Sequence, residues 1–345
     1  MIIDNYLISD NSPVFIIAEL SANHNGSIDT AIETIKAAKR AGANAIKLQT
    51  YTADTMTIDS NKEDFIINGT VWNGQHLYAL YQQAYTPWEW HEKLFEVAKE
   101  EGLICFSSPF DKSSVDFLET LKVPAYKIAS FEITDIPLIE YVASKGKPII
   151  ISTGIAEKED IELALDACRR MGNNDIALLK CTTSYPAPID EANLCMIKEF
   201  RDKFNVVIGL SDHTMGTTAP IVATVLGAKI IEKHFILDRS IGGPDSSFSM
   251  NENEFKIMVE TIRESELSIG NVNFNLTKKQ KEGRVFSRSL YVVEDMNKGD
   301  IITNENIRSI RPGYGLHPKY LNQVLNAKVN RSLKKGDRFT LDFIQ

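Results

Sequence analysis

Two histidines stand at the ends of neighbouring apolar segments in the second half of the chain. His213 ends the segment VVIGLSDH, and His234 ends the segment KIIEKH. Adjacent parallel strands lie about 5 Å apart, so imidazoles at their ends can share a divalent metal such as manganese, iron, cobalt or zinc. No cysteine accompanies them, which favours an open catalytic site over a structural zinc site. The alternative is a pair of histidines that hydrogen-bond to the backbone or to carboxylates.

Lysines and hydroxyl groups lie near the ends of other apolar segments. The lysines are Lys47, Lys127, Lys180 and Lys233, and the hydroxyls belong to Ser108, Ser130, Ser152 and Thr153. A lysine at such a position can bind phosphate or carboxylate, form a Schiff base, or extend its charge from the strand to solvent. The hydroxyls suit phosphate oxygens, whereas Schiff-base chemistry does not need them, so the combination favours an anion site.

Three further residues are candidates for direct chemistry. Glu19 ends the segment VFIIAE, where a carboxylate can act as a general acid or base or bind sugar hydroxyls; a structural or helix-capping role is the alternative. Asp245, in the loop GGPDSSFS, suits substrate hydroxyls or a water on the metal. Arg311, in IRPGYG, is either simply solvated or held on a rigid Pro-Gly turn as a guanidinium for bidentate carboxylate or phosphate recognition.

Eight short apolar segments must position these residues, and nearly all of them stop on a polar or ionisable residue. They are VFIIAE, AIKLQ, LICFSS, AYKIAS, PIIIST, IALLKCT, VVIGLSDH and KIIEKH. Helical patterns follow most of them, such as the ones that stop at Gly42 and Gly102. Alternating strands and helices predict a parallel sheet. With chemistry gathered at the strand ends, the pattern predicts an α/β fold of the (β/α)8 TIM-barrel type.

The connection between the second strand and the next long helix, from Thr50 to Thr86, is unusually long. Loops of this length inside compact domains are usually functional or disordered. An aromatic run around Trp72, Tyr78 and Tyr81 argues against disorder, and Phe65, Trp72 and Tyr81 could supply apolar contacts to a substrate. The sequence therefore predicts a lid or a specificity loop.

The pattern changes near the end of the chain. Residues 1–270 are predicted to form the catalytic barrel, residues 271–284 a polar linker, and residues 285–345 a small, mostly β domain. Turn signals at Lys298-Gly299-Asp300 and Lys335-Gly336-Asp337 separate its short strand patterns. A domain of about 60 residues is marginal by itself, so we expect it to dock on a partner surface.

The composition is that of an ordinary globular protein. Of its 345 residues 43% are hydrophobic and 24% are charged, and the net charge of −8 gives no reason to expect binding to nucleic acid or an anionic membrane. No apolar run reaches transmembrane length, and the first residues do not resemble a signal peptide. The four cysteines show neither close pairing nor zinc-ligand spacing, which predicts reduced thiols and a cytoplasmic protein.

In their order along the chain, these motifs resemble the sialic acid synthase family. The matching segments are AELSANHNG, AIKLQT, YKIAS, STG, CTTSYP, GLSDHT and EKHF. The region from about Phe286, with RSLY and RPGYG, is similar to the small antifreeze-like (SAF) domain of that family, so the resemblance covers essentially the whole chain. The segments KEDFIINGTVW, LYALYQQAYTPWEWH and CFSSPF resemble its pseudaminic acid branch. Thr183 stands where sialic acid synthases proper commonly have asparagine.

This resemblance implies a metal-dependent condensation of phosphoenolpyruvate with an open-chain amino sugar and water, with phosphate released by C–O cleavage. In the pseudaminic branch the sugar is 2,4-diacetamido-2,4,6-trideoxy-L-altropyranose. The metal, bound by His213 and His234, would be manganese, with magnesium or cobalt as alternatives. Phosphoenolpyruvate would be held by Lys47, Ser108, Lys127, Ser130 and Ser152, and the sugar would face Glu19, Tyr185 and Asp245. Arg311 would reach into the barrel of a partner subunit in a domain-swapped homodimer.

Three alternatives stay open from the sequence. A related nonulosonate synthase would make legionaminic or N-acetylneuraminic acid instead. A Schiff-base aldolase of similar fold would form a lysine adduct that borohydride traps, and would need no metal. A non-catalytic, carbohydrate-binding small domain would bind sugar when isolated from the barrel.

Overall fold

Eight parallel strands close into a barrel in the first of the two units of the chain. The computed structural model describes residues 1–345, and its units are Met1–Gly270 and Asn271–Gln345. The strands of the first unit are a hairpin of β1 (Ile2–Ile3) and β2 (Tyr6–Leu7), and the barrel strands β3 (Phe15–Glu19), β4 (Ala45–Thr50), β5 (Ile104–Pro109), β6 (Tyr126–Ile128), β7 (Ile149–Ser152), β8 (Ile176–Cys181), β9 (Val207–Asp212) and β10 (Ile230–His234). Strands β3 to β10 pair in chain order, and β10 closes the ring against β3. The predicted TIM barrel is confirmed.

Helices alternate with the barrel strands. They are α1 (Ile28–Arg40), α2 (Ala53–Met56), α3 (Leu77–Ala84), α4 (Trp88–Glu100), α5 (Lys112–Thr120), α6 (Ile136–Ala143), α7 (Lys158–Arg170), α8 (Met196–Phe204), α9 (Thr218–Val225) and α10 (Glu252–Ile269). Ser27 caps α1 by accepting a hydrogen bond from the Thr30 N–H at 3.2 Å. Gly42 and Gly102, at φ of +91° and +67°, end α1 and α4 in the left-handed region that glycine adopts without strain. None of the helices combines the length and apolar character that a membrane crossing requires.

The interior of the barrel is apolar at one end and polar at the other, because alternate residues of each strand point inward. Phe15, Ile17 and Phe106 fill the end where the strands begin. The hairpin closes this end, since Ile3 and Ile8 are buried in the same apolar cluster. Further along each strand the inward positions carry charged and hydroxyl side chains, which therefore stand above an apolar floor.

The long connection after β4 contains regular structure. It includes α2, a short 3-10 segment over Glu63–Phe65, and α3. Its two ends are tied together by His91 of α4, which is fully buried. His91 Nδ1 lies 3.2 Å from the Pro87 carbonyl oxygen, and its Nε2 lies 2.8 Å from Thr50 Oγ1. A carbonyl only accepts, so Nδ1 carries the proton and Nε2 accepts from the threonine hydroxyl.

The second unit is built around a small antiparallel sheet. Its elements are α11 (Lys278–Gly283), β11 (Ser289–Val292), β12 (Ile307–Ile310) and α12 (Leu321–Val324). Leu290, Ile307 and Phe339 are fully buried in its own apolar core. Helix α11, which Thr277 caps, lies within the segment predicted as a linker.

Candidate active site

Two lysines and two glutamates meet inside the barrel, near the carboxyl ends of the strands. Lys47 forms an ion pair with Glu19, and its Nζ lies 3.9 Å from Glu232 Oε2. Lys127 Nζ lies 3.5 Å from Glu232 Oε1. All four side chains are at most 6% exposed. Each of these charges is therefore balanced by its neighbours rather than by water.

Serine hydroxyls accompany both lysines. Lys47 Nζ donates to Ser108 Oγ at 3.3 Å, and Lys127 Nζ donates to Ser152 Oγ at 2.6 Å. The two serines are 0% and 1% exposed. Ammonium and hydroxyl groups that converge on one buried space suit an anion with several oxygens, such as a phosphate or a carboxylate.

Ser130 begins the loop that follows β6, the strand of Lys127. Its hydroxyl lies 3.3 Å from Cys181 Sγ and accepts the Gly154 N–H at 3.2 Å. A Cβ atom on Gly154 would lie 2.7 Å from Ser130 Oγ and 3.0 Å from Thr183 Cβ. Glycine at this position therefore allows the loops after β6, β7 and β8 to approach each other closely.

The two buried glutamates differ in proton affinity. Burial raises the pKa of Glu19 to about 7, against the opposing effect of Lys47. Burial acts in the same direction on Glu232, but Lys127 and Lys47 outweigh it and hold its pKa below the usual range. Glu232 is therefore a fixed negative charge at neutral pH, whereas Glu19 can donate or accept a proton there.

The imidazoles of His213 and His234 stand side by side, with ring centres 5.4 Å apart. His213 Nδ1 lies 3.0 Å from the Thr182 carbonyl oxygen, so in the neutral imidazole this nitrogen carries the proton and Nε2 has the free lone pair. His234 Nδ1 is buried without a hydrogen-bond partner, 3.9 Å from Asp245 Oδ2. A buried polar atom left unpaired costs about 1–3 kcal/mol, so this position suits a ligand from outside the chain.

The histidine pair fits a divalent metal ion. Imidazole nitrogen is a common ligand for such ions, and the unpaired His234 nitrogen would gain the partner that it lacks. No group of three or more His, Cys, Asp or Glu side chains is arranged to hold a metal. The remaining ligands would therefore come from water and substrate, as at an open catalytic site.

Aromatic rings form a wall beside the histidines. The ring centre of Tyr185 lies 4.4 Å from that of His213 and 5.1 Å from that of Phe248. Phe248 in turn lies 5.1 Å from His234. The space next to the histidine pair is thus bounded by apolar faces, which suit the carbon skeleton of a sugar.

Polar side chains from β3, β4 and the loops after β3 and β10 form a network that continues from the Lys47–Glu19 pair toward Asp245. Ser21 donates its hydroxyl hydrogen to Asp245 Oδ2. Gln49 Nε2 donates to Glu19 Oε1 at 3.0 Å and to Ser21 Oγ at 3.1 Å. This network of carboxylate, amide and hydroxyl groups matches the donors and acceptors of a sugar.

The lid reaches the site through Trp72. Its Nε1 donates to the Pro244 carbonyl oxygen at 3.0 Å, across 172 positions of sequence. Its ring centre lies 5.7 Å from that of Tyr185 and 6.4 Å from that of Phe248. Tyr81, which the sequence placed with it, packs instead against Tyr51 at 5.7 Å.

The structure brings most of the predicted site residues to one end of the barrel. Those near its mouth are Glu19, Lys47, Ser108, Lys127, Ser130, Ser152, Tyr185, His213, His234 and Asp245. Two of the four strand lysines lie elsewhere, because their positions alternate to the outer face. Lys233 pairs with Asp212 and donates to the Thr214 carbonyl at 2.6 Å. Lys180 donates to the Cys181 carbonyl at 2.7 Å.

Sequence reasoning missed several residues of the site. Glu232 stands two positions before His234 on the same face of β10, and Gln49 stands two positions after Lys47 on β4. Because alternate residues of a strand share one face, the positions of His234 and Lys47 could have predicted that Glu232 and Gln49 also point into the barrel. Glu132, just after β6, has a buried Oε2 without a partner, and burial raises its pKa to about 7; no pattern in the sequence marks it.

Arg311 belongs to the second unit and follows β12. Its side chain is exposed. The turn beside it is held by Ser289, whose hydroxyl donates to the Pro312 carbonyl at 2.6 Å and accepts the Gly315 N–H at 2.8 Å. The guanidinium therefore projects from a fixed turn.

Comparison with known proteins identifies the family. Residues 34–274 match the model of the NeuB family, and residues 287–345 match the model of the SAF domain. The chain belongs to the NeuB family. The predicted sialic acid synthase family and its small C-terminal domain are thereby confirmed.

Individual relatives refine this placement within the NeuB family. A pseudaminic acid synthase from Campylobacter jejuni is 49% identical over 324 residues, which cover 94% of both chains. An N,N'-diacetyllegionaminic acid synthase from Legionella pneumophila is 34% identical over 336 residues, covering 96% of this chain and 94% of the relative. The solved structure of the spore coat polysaccharide biosynthesis protein spsE from Bacillus subtilis has a TM-score of 0.69 and 35% identity, covering 100% and 99% of the two chains.

Proposed function

We propose that this NeuB-family chain is a pseudaminic acid synthase, which condenses phosphoenolpyruvate with open-chain 2,4-diacetamido-2,4,6-trideoxy-L-altropyranose and releases phosphate. The observation that carries the proposal is the placement of an anion-binding interior next to a histidine pair at one mouth of the barrel. The choice of sugar rests on the higher identity to the pseudaminic acid synthase, 49%, than to the legionaminic acid synthase, 34%. We place the reaction in the cytoplasm, where the four unpaired cysteines would stay reduced.

The buried lysines and serines would hold phosphoenolpyruvate. Lys47 and Lys127 carry the positive charge that its phosphate and carboxylate require, and Ser108, Ser152 and Ser130 add neutral donors. Glu232 keeps the two lysines charged and correctly placed before the substrate arrives. Donors fixed in this way stabilise the charge that develops as phosphate leaves, without a cost for reorganisation.

The sugar would lie between the aromatic wall and the carboxylates. Its aldehyde carbon would stand near His213 and His234, and C3 of phosphoenolpyruvate would attack it to form the new C–C bond. Water would then add at C2, and the bond between C2 and the phosphate oxygen would break. Glu19, which Gln49 holds in place, would accept or deliver a proton, and Asp245 would orient sugar hydroxyls.

His213 and His234 would hold the divalent metal ion on which members of this family generally depend. When bound, such an ion supplies Lewis-acid polarisation of the aldehyde oxygen. We propose manganese, with magnesium or cobalt as alternatives.

We further propose a domain-swapped homodimer in which the second unit of one subunit covers the barrel mouth of the other. The barrel unit has 24 Lys and Arg against 39 Asp and Glu, while the second unit has 14 against 7, so the two are opposite in net charge. Apolar residues of the loops at the mouth are exposed, namely Phe131 (60%), Ile155 (45%) and Met215 (51%). Near the start of the second unit, Phe274 is 98% exposed. Arg311 would then pair with a substrate carboxylate or sugar oxygen in the partner's site.

Phosphate release from phosphoenolpyruvate, measured with a panel of amino sugars, tests the proposed function. The 2,4-diacetamido L-altrose sugar should support turnover, and N-acetylmannosamine and the diacetamido precursor of legionaminic acid should be poor substrates. Equal or better turnover of either competitor would replace the proposed product with the corresponding nonulosonate. Turnover that resists chelation and leaves a borohydride-trapped lysine adduct would instead support a Schiff-base aldolase.

A further inference from the structure

A second cavity lies beside the candidate active site, between the lid and the loop after β10. Its volume is about 350 Å³. It is lined by Val71, Trp72, Gln75, Leu80, Gln83, Gly243, Pro244, Ser246 and Ser247, and we name it the lid pocket. No residue assigned above to phosphoenolpyruvate or to the metal takes part in it.

Three observations connect the lid pocket with the substrate space. Trp72 belongs to both, since its indole lines the pocket and also contacts Tyr185. Asp245, which faces the sugar in the proposed function, lies between two pocket residues, Pro244 and Ser246. The hydrogen bond from Trp72 to the Pro244 carbonyl joins the two sides of the pocket.

The lining of the lid pocket combines apolar surface with amide groups. Val71, Leu80 and Pro244 supply apolar contacts. Gln75 and Gln83 are exposed, and their side-chain amides form no hydrogen bond within the chain, so they are free to exchange water for a ligand. An amide side chain offers both a donor and an acceptor, so this pair is complementary to another amide that carries a small alkyl group.

Resting on the proposed function, we propose that the lid pocket receives the acetamido group at C4 of the sugar. The acetamido group at C2 is bonded to the carbon next to the reacting aldehyde, so it must stay near the histidines. The group at C4 lies three carbons from the aldehyde carbon and extends toward the lid. Its methyl would contact Val71, Leu80 and Pro244, while its N–H and C=O would bond to Gln75 and Gln83.

Substitution of the two glutamines, with a neighbouring glutamine as control, tests this assignment. Gln75→Leu and Gln83→Leu remove the amides at similar volume. Gln82→Leu is the control, because Gln82 is likewise an exposed glutamine of the same helix as Gln83 and does not line the pocket. The readout is the ratio of kcat/KM for the diacetamido sugar to that for its analogue with a hydroxyl at C4, together with KM for phosphoenolpyruvate. One neutral hydrogen bond contributes about 0.5–1.5 kcal/mol, so each pocket variant should lower this ratio roughly 2- to 13-fold. The Gln82→Leu ratio and every KM for phosphoenolpyruvate should stay within about twofold of wild type.

Several results would overturn the assignment, and they separate it from the proposed function. If the wild type uses the diacetamido sugar but both pocket variants leave the ratio unchanged, the C4 group binds elsewhere and the proposed function stands. If the variants weaken both sugars equally, the glutamines position the lid and do not recognise C4. If the wild type does not use the diacetamido sugar at all, both the proposed function and the assignment are wrong.

Discussion

Replacement of Gly154 by alanine should damage the site through a single added methyl group. The new Cβ would stand 2.7 Å from Ser130 Oγ and 3.0 Å from Thr183 Cβ, and it would overlap the Thr183 hydroxyl. Real Cβ contacts essentially never fall below 3.0 Å, so both neighbours must move or the loops must separate. Extra volume in a packed region typically costs about 1–3 kcal/mol of unfolding free energy.

The same displacement should reduce catalysis because Ser130 is a proposed ligand of phosphoenolpyruvate. A hydrogen bond to a charged group contributes about 1.5–3 kcal/mol. Its loss corresponds to a fall of roughly 10- to 150-fold in kcat/KM for phosphoenolpyruvate. Steady-state kinetics and chemical unfolding on the same preparations measure both effects.

Two companion variants isolate the cause. Thr183→Ala removes the overlapping hydroxyl, so the Gly154→Ala, Thr183→Ala double variant should recover part of the lost unfolding free energy. Gly283→Ala adds the same methyl group where no atom lies within 4 Å and φ is not positive, so it should be neutral or slightly stabilising. A Gly154→Ala protein with wild-type unfolding free energy and wild-type KM for phosphoenolpyruvate would refute this account of the loops.

Three further predictions follow from the site and the lid. Chelation should abolish phosphate release and manganese should restore it; a fully active His213→Ala, His234→Ala double variant would contradict the metal assignment. An inactive Arg311→Ala protein mixed with an inactive His213→Ala protein should regain activity, because only the heterodimer assembles a site with both wild-type residues; no recovery despite proven subunit exchange would rule out the swapped arrangement. Burial lowers the pKa of His91 to about 4, so below about pH 6.5 the unfolded chain binds a proton at this residue that the folded chain does not, and His91 alone should lower the free energy of unfolding by about 3 kcal/mol between pH 6.5 and 4. Urea unfolding should show a shallower acid loss for His91→Gln and the wild-type loss for the control His76→Gln.

The sequence was sufficient to predict the barrel and to select candidate residues that lie together at one of its ends, because a single sequence shows where apolar strands stop. Apolar segments that stop on polar residues locate the carboxyl ends of the strands, and those ends share one face of a barrel. The strand ends alone do not show which lysine side chains point into the barrel. Lys47 and Lys180 occupy similar positions near their strand ends, so position alone does not show which side chain points into the barrel. The alternation of residues along each strand does show it. Lys47 points inward like Ala45, whereas Lys180 points toward the helices like Leu178.

Other features depend on contacts between distant segments, which a single sequence does not encode in a local pattern. The hydrogen bond from Trp72 Nε1 to the Pro244 carbonyl joins residues that are 172 positions apart, and no local sequence pattern near either residue predicts this contact. Glu132 lies in the 3-10 segment after β6, and the burial of its carboxylate is evident only from the three-dimensional structure. The lid itself was predicted from its length and its aromatic residues, whereas which of those residues reaches the site was not.

The closed floor of the barrel determines how molecules enter and leave. Because Phe15, Ile17 and Phe106 fill the end where the strands begin and the β1–β2 hairpin covers it, both substrates and all products must pass through the other end. In a site with one entrance, the substrate that binds deeper must bind first, and the product nearer the entrance must leave first. The apolar packing at the amino ends of the strands, to which the hairpin contributes Ile3 and Ile8, therefore predicts an ordered kinetic mechanism.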